Sequence, residues 1–277
     1  MFNKIIYSMY YIGIVGALSR LGKGVTAALQ AKSCDYKIIF MVDAGYERAD
    51  VIKSEFQNLE QVLTHNLTPS LVLDFGDSQQ MYERAKFYRQ NGFPDIMQGP
   101  LSRKDEEMLY SISRGSHQMP TPLVIVPDFS VTKVLMLKNL KEQVKLLQCK
   151  VNRIYVGLQH NVDEAQNTAF WLLWAQSVNE MLGEYTDKYC QKGHSVTMGF
   201  VRVVSKRVAE QDEQFEEMHL SIILSDDSTL KWEWNGNLLE SRVDGVMRTL
   251  AWYVKRIKHD VNLASGDVLS DVLSKLL

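Results

Sequence analysis

The first half of the chain alternates short apolar segments with amphipathic ones, and this alternation constrains the fold more than any other feature. The apolar segments have the length and composition of buried strands, and the segments between them have helical spacing. Strands that alternate with helices are typical of βαβ units and a mainly parallel sheet. Strands are predicted at residues 11–15, 37–42, 71–75, 95–97 and 123–126, and helices at 22–30, 78–91 and 103–113.

The second half has a different pattern, which predicts a separate α+β domain. Several strands there follow one another with helices to one side, and the last three of them, 197–204, 219–224 and 230–234, have the pattern expected of antiparallel strands. The acidic segment 210–217 is interpreted as a solvated connection between two of them. Strands are predicted near residues 153–156 and at 197–204, 219–224 and 230–234, and helices at 131–145, 167–182 and 245–258.

Composition excludes several classes of function. A net charge of −2, from 31 Lys and Arg against 33 Asp and Glu, is too balanced for a nucleic-acid partner. Cys34, Cys149 and Cys190 are far apart, so neither a metal site nor a disulfide framework is predicted, and a cytoplasmic setting fits. The uncharged run of residues 5–19, which no run in the chain exceeds, is shorter than the roughly 20 residues of a membrane span. No membrane partner is expected, and Met9 is an alternative start to Met1.

The segment Gly16-Ala-Leu-Ser-Arg-Leu-Gly22 follows the first strand and opens a helix, which is the position of a dinucleotide-binding turn. Leu18 and Ser19 stand where such a turn has a second glycine, which lets backbone N–H groups approach the pyrophosphate. Asp43, at the end of the second strand, is placed to accept from a ribose 2′-OH. A plain structural crossover has the same spacing, so the spacing alone leaves both interpretations open.

Further motifs give the chain a resemblance to a known family. Val15-Gly-Ala-Leu-Ser-Arg-Leu-Gly22 is similar to the GAGGRMG turn of the dihydrodipicolinate reductases, the NAD(P)H-dependent enzymes of bacterial lysine synthesis. The resemblance extends in the correct order over nearly the whole chain. The other matching segments are Leu73-Asp-Phe75, Val126-Pro-Asp-Phe-Ser130, Leu135-Met136, Val162-Asp163, Thr168-Ala169, Thr197-Met-Gly-Phe200 and the helix from Gly245 to Trp252.

This resemblance implies an α/β fold with a Rossmann-type dinucleotide-binding domain and an inserted α+β domain. Residues 1–128 and 243–277 would form the first domain, and residues 129–242 the second, through which family members assemble into homo-oligomers, here a tetramer or a dimer. NADH or NADPH would be the cofactor, bound more weakly because the glycine turn is altered. The implied cofactor-binding residues are Gly16, Ala17, Arg20, Leu21, Gly22, Asp43, Phe75, Gln98 and Gly99.

The family's catalytic residues are not retained. Family members carry a His-His-Arg-His-Lys run, in which the first His is the general acid and the Lys helps to bind the dicarboxylate substrate. The corresponding segment here is Gly157-Leu-Gln-His-Asn161, so the proton donor has become Gly157 and the cation Asn161. His160 is the remaining candidate for a catalytic acid, and a structural or surface histidine is the alternative interpretation.

The family's carboxylate-binding Gly-Thr is replaced by Asn167-Thr168. The Thr168 hydroxyl and the backbone N–H groups at the start of the following helix could still bind an anion, and simple capping of that helix is the alternative. The loss of a cation favours a neutral or singly anionic ligand over a dicarboxylate. The predicted substrate-binding residues are Gln159, Asn161, Asn167 and Thr168.

Three functions remain open at this point. The first is a diverged reductase that acts on another small imine-type or cyclic metabolite, for example in secondary metabolism. The second is a non-catalytic paralogue that serves as a scaffold, assembly factor or ligand-binding regulator. The third is ordinary NAD(P)H-dependent lysine synthesis with substituted residues, against which Gly157 and Asn161 argue.

Overall fold

The chain divides into two compact units. Met1–Ser130 with Leu239–Leu277 forms the first unit, and Val131–Leu238 forms the second. The sequence predicts these boundaries after residues 128 and 242. The computed structural model describes residues 9–77, 80–98, 108–109, 111–112, 122–126, 129–132, 135, 139, 151–160, 201–207, 215–224 and 229–258.

The first unit contains a six-stranded sheet in the order β3-β2-β1-β4-β5-β6, and every pair of neighbours is parallel. The order reverses between β1 and β4, which makes the carboxyl ends of these two strands the topological switch point. The predicted Rossmann-type α/β fold is therefore confirmed. The strands are β1 Tyr10–Val15, β2 Tyr36–Val42, β3 Glu55–Phe56, β4 Leu71–Asp74, β5 Asp95–Gln98 and β6 Leu123–Val126.

The central strands are buried on both faces, which explains their continuous apolar sequence. All four residues of β4 and of β6 are buried. Helix α1 (Arg20–Ala31) directs one apolar stripe inward, with Leu21, Val25 and Leu29 buried. Helix α3 (Met81–Asn91) buries Ala85 and Tyr88 in the same way.

Two short elements are not predicted from the sequence. Strand β3 has only 2 residues, and helix α2 (Leu59–Thr64) has only 6, too few for a periodic pattern to be recognised. The Asn58 side chain caps α2 by accepting a hydrogen bond from the Gln61 N–H at 3.0 Å.

The predictions of helices α1 and α3 are correct in kind, although α1 begins two residues earlier than expected and α3 begins three residues later.

The second unit contains a four-stranded sheet in the order β10-β9-β7-β8. Strands β7 and β9 pair antiparallel, and so do β9 and β10. The antiparallel expectation is thus confirmed for β9 with β10, whereas it is wrong for the strand predicted at 197–204, because β8 pairs parallel with β7. A parallel neighbour requires a long connection, and residues 161–200 provide one. The strands are β7 Val151–His160, β8 Val201–Arg207, β9 Phe215–Leu224 and β10 Thr229–Asn237.

The acidic segment 210–217 is only partly a connection. Its last three residues, Phe215 to Glu217, already belong to β9 and pair with β10. Charged residues can occupy one face of an antiparallel strand, so the acidic composition does not exclude a strand. The predicted helix 167–182 lies outside the described residues, and only a few positions of the predicted helix 131–145 are described.

Helix α4 (Leu238–Lys258) returns the chain to the first unit from Leu239 onward. It begins earlier than the predicted helix 245–258. Its apolar stripe is fully buried at Val246, Leu250 and Tyr253, and the Ser241 and Ser130 hydroxyl oxygens lie 3.2 Å apart.

Within the described part of the chain, no helix combines the length and the hydrophobicity that crossing a bilayer requires.

Candidate cofactor site

The turn between β1 and α1 depends on two glycines. Gly16 has a φ of +72°, and a Cβ there would lie 2.5 Å from the Phe75 carbonyl oxygen. A Cβ on Gly22 would clash with the carbonyl oxygen of Gly16, because α1 packs directly on the turn. A tight turn and close helix–strand packing are the roles of the first and third glycines in a dinucleotide-binding fingerprint.

The middle of the turn differs from that fingerprint. Ser19 is the N-cap of α1, and its hydroxyl accepts a hydrogen bond from the Gly22 N–H at 3.0 Å. The first N–H groups of a helix have no intrahelical partner and could bind an anion. The Ser19 side chain takes one of them, so fewer donors remain for a phosphate.

Asp43 lies beside this turn, at the end of β2. Its Oδ2 accepts a hydrogen bond from the Leu18 N–H at 2.9 Å, and its Oδ1 accepts one from the Gly45 N–H at 2.9 Å. The Leu18 side chain lies against the loop that contains Gly45, since a Cβ placed on Gly45 would be 3.0 Å from Leu18 Cδ1. A carboxylate has about four acceptor positions, so the two bonds leave capacity for ribose hydroxyls.

The remaining described cofactor-site candidates lie at the same edge of the sheet. Phe75 follows β4, is 7% exposed, and donates its N–H to the Val15 carbonyl at 2.9 Å. Its ring packs edge-on against Phe129 with the centroids 5.9 Å apart. Gln98 ends β5 and is half-buried. Ala17 and Leu21 are buried and Arg20 is exposed, while Gly99 lies outside the described residues.

A buried polar cluster behind this edge is not found by sequence reasoning. The Asp74 carboxylate is fully buried, and its Oδ2 accepts hydrogen bonds from Arg84 Nε at 2.7 Å and from the Tyr88 hydroxyl at 2.9 Å. Its Oδ1 accepts from the Gly76 N–H at 2.8 Å. Asp74 stands out in the sequence as a charge inside an apolar strand, but nothing in the sequence shows that Arg84 of α3 is its partner.

Burial changes the ionisation of this cluster. Burial and the nearby Asp74 charge hold the pKa of the Tyr88 hydroxyl well above its usual value, so Tyr88 remains a donor. Burial and then Asp74 also raise the pKa of the Asp95 carboxyl well above its usual range, although Arg84 opposes this shift. Burial lowers the pKa of Arg84, but the charge and hydrogen bond of Asp74 outweigh it, so Arg84 stays a cation.

The substrate-side candidates are described only in part. Gln159 and His160 are the last residues of β7, whose backbone is described. His219 of β9 is the register partner of Gly157. Asn161, Asn167 and Thr168 lie outside the described residues, so their proposed roles remain predictions.

Solved structures with a similar fold are found, whereas no protein-family model and no curated protein matches the chain. The dipicolinate-bound dihydrodipicolinate reductase from Paenisporosarcina sp. TG-14 has a TM-score of 0.61 at 12% identity, over 96% of this chain and 100% of that one. GenD2 from gentamicin A biosynthesis, in complex with NAD, has a TM-score of 0.58 at 13% identity, over 97% and 91% of the two chains.

A myo-inositol dehydrogenase from Corynebacterium glutamicum has a TM-score of 0.57 at 11% identity, over 97% of this chain and 94% of that one. At such identities the similarity shows the fold alone. The resemblance to dihydrodipicolinate reductase is therefore confirmed as a similarity of fold between divergent sequences.

The residues of the turn meet part of what a dinucleotide requires. Gly16 and Gly22 have the backbone geometry of a dinucleotide-binding turn, and Asp43 lies next to it with acceptor capacity left. Leu18 and Ser19 are half-buried side chains in the middle of the turn, where that fingerprint has a glycine. The turn is therefore compatible with adenosine and pyrophosphate groups but offers them fewer backbone donors than a glycine-rich turn.

Proposed function

We propose that this chain is a diverged reductase that binds NADH and acts on a small imine-type or cyclic metabolite other than the lysine-pathway substrate. The observation that carries the proposal is the hydrogen bond between the Leu18 N–H and Asp43, at 2.9 Å, which holds a carboxylate against a glycine-dependent βα turn. A turn of this kind at the switch point of a doubly wound sheet is a dinucleotide-binding arrangement.

The choice between NADH and NADPH follows from charge. Asp43 can accept hydrogen bonds from the two ribose hydroxyls of NADH, whereas its negative charge repels the 2′-phosphate of NADPH. Gly16 and Gly22 would hold the pyrophosphate end, and Gln98 at the end of β5 could bond to the carboxamide. The bound nicotinamide would supply a hydride to the substrate.

The substrate class follows from the residues that replace the family's acid and cation. Gly157 offers no side chain to a reacting group, and Asn161 and Asn167 offer amides instead of a positive charge. Amides bind neutral or singly charged groups well, but they do not balance two carboxylates. A metabolite with one carboxylate or none is therefore proposed.

Calorimetric titration of the full chain with NADH and with NADPH tests the proposal. NADH should bind more tightly than NADPH. Asp43→Asn should lower the affinity for NADH by about tenfold, because the amide bonds less strongly to the ribose hydroxyls. Asp35→Asn is the matched control, since Asp35 is exposed and precedes β2 at its opposite end. Preference for NADPH, or no binding of either dinucleotide, would contradict the proposal.

A non-catalytic role is the second candidate, and one observation favours it. The Ser19 hydroxyl and the Asp43 carboxylate already accept three backbone N–H groups of the turn and its neighbouring loop. A turn that satisfies itself in this way can be stable without a ligand. If the titrations find no dinucleotide, a scaffold or a ligand-binding regulator becomes the better proposal.

A further inference from the structure

Arg84 is a buried cation near the start of α3. It is only 8% exposed, and its Nε donates to the fully buried Asp74 at 2.7 Å. A buried ion pair is costly unless its remaining donors and acceptors are also satisfied. The other contacts of Arg84 and Asp74 therefore show what the pair does in this fold.

Those contacts are made with the loop that follows β4, here called the Phe75–Asp77 loop. Arg84 Nη1 donates to the Asp77 carbonyl at 2.8 Å, and Asp74 Oδ1 accepts from the Gly76 N–H at 2.8 Å. The guanidinium also lies against Gly76, since a Cβ there would be 2.8 Å from Arg84 Cζ. The ion pair thus bonds to two backbone groups of the loop, the Gly76 N–H through Asp74 and the Asp77 carbonyl through Arg84.

The same loop packs on the glycine turn. The Phe75 N–H donates to the Val15 carbonyl at 2.9 Å, and the Phe75 carbonyl oxygen lies where a Cβ on Gly16 would be. Arg84 is therefore linked through one short loop to the turn at the switch point. Because the loop has few residues, a movement of Gly76 would also move the Phe75 carbonyl that borders Gly16.

We propose that Arg84 is a positioning residue that fixes the Phe75–Asp77 loop against the Gly16 turn and so sets the shape of the cofactor site, an inference that rests on the proposed function. The planar guanidinium is needed because it bonds Asp74 and the Asp77 carbonyl at the same time. Arg84 Nη2 is buried and finds no acceptor among the described residues, which costs stability. The position of the Arg84 side chain is therefore explained better by its bonds to the loop than by a gain in stability.

The test compares three variants of the full chain by amide hydrogen exchange and by NADH titration. Arg84→Lys keeps the charge but replaces the guanidinium, whose Nε reaches Asp74 while its Nη1 reaches the Asp77 carbonyl, with a single nitrogen on a flexible stem. Tyr88→Phe removes another donor to Asp74 Oδ2 without touching the loop. Lys86→Gln, on the same helix, changes an exposed cation that pairs with Glu83.

Arg84→Lys should raise the exchange rate of the Gly76 N–H by about tenfold relative to a core amide such as that of Ile14, and raise the NADH Kd by a similar factor. Tyr88→Phe should change the exchange of both amides together, and Lys86→Gln should change neither. The inference would be overturned if Arg84→Lys raised the exchange rate of the Gly76 N–H selectively but left the NADH affinity unchanged. It would also be overturned if Tyr88→Phe raised the exchange rate of the Gly76 N–H by the same selective factor.

Two further outcomes are decisive. If the wild type binds no NADH, the proposed function fails, whereas the exchange measurements still decide whether Arg84 fixes the loop. If Arg84→Lys does not fold, Gly76→Ala replaces it, because a Cβ at 76 displaces the guanidinium and leaves all its donors in place. Unchanged exchange at the Phe75 and Gly16 amides in Gly76→Ala would then overturn the inference.

Discussion

The Leu18 N–H donates to the Asp43 carboxylate at 2.9 Å, which ties the β1–α1 turn to the end of β2. The acid that the spacing assigns to ribose binding is therefore also part of the turn's own structure. A bound dinucleotide would have to share this carboxylate with the backbone N–H groups of Leu18 and Gly45.

Leu18→Gly is predicted to strengthen NADH binding by about tenfold, because it removes the side chain that leans on the Gly45 loop and keeps the N–H that bonds to Asp43. Calorimetry on the wild type, Leu18→Ala and Leu18→Gly should give a graded increase in affinity. Added backbone freedom will lower the free energy of unfolding by about 0.5–1 kcal/mol. Weaker binding in both variants would show that the leucine supports the site.

Gly22→Ala is predicted to destabilise the fold by roughly 1–3 kcal/mol, because its Cβ would clash with the backbone of Gly16 and Ala17. Gly24→Ala, also in α1, is the matched control. A Cβ at position 24 would meet only side-chain atoms of α4, and alanine gains helix propensity there. Chemical denaturation measures both free energies of unfolding, and equal losses would contradict the packing of α1 on the turn.

Asp95→Asn is predicted to make stability less dependent on pH. Asp95 is 4% exposed, and burial, followed by the Asp74 charge, raises its pKa well above the usual value. A carboxyl with a raised folded-state pKa stabilises the fold fully below its unfolded pKa, and this contribution is lost as the pH rises through the folded pKa. The asparagine cannot ionise, so the variant should gain stability relative to the wild type as the pH rises.

Urea denaturation of Asp95→Asn and the wild type, from about pH 4 to about pH 8, measures this difference. Asp35→Asn serves as a control for the removal of an exposed acid. If the profile of Asp95→Asn runs parallel to that of the wild type, the pKa of Asp95 is not raised by folding.

Most strands of the first unit and its helices α1 and α3 are predictable, because short segments of sequence specify them. Buried strands such as 123–126 are continuous apolar runs, and α1 carries its own cap at Ser19. The parallel pairing of β7 with β8 depends on a long connection rather than on the strands themselves. The Arg84–Asp74 pair joins two elements whose relative position only the folded chain fixes. The Asp43 position is predictable from spacing, but its bond to Leu18 is not.

The last prediction concerns lysine synthesis, which this chain should not support. Reduction of the pathway substrate needs a proton donor, and the loss of a positioned donor typically costs about 10²–10⁴ in rate. Gly157, at the position of the family's general acid, provides none. A lysine auxotroph that carries this chain should therefore fail to grow without lysine, while one that carries an authentic dihydrodipicolinate reductase grows.

Robust growth would contradict this prediction and would require a substitute acid. The search begins with His160, the remaining candidate of the sequence, and extends to His219, whose backbone is the register partner of Gly157. Either His160→Gln or His219→Gln should then abolish the growth. Growth that survives both substitutions would place the proton donor outside this sheet and exclude either histidine as the replacement for the family's general acid.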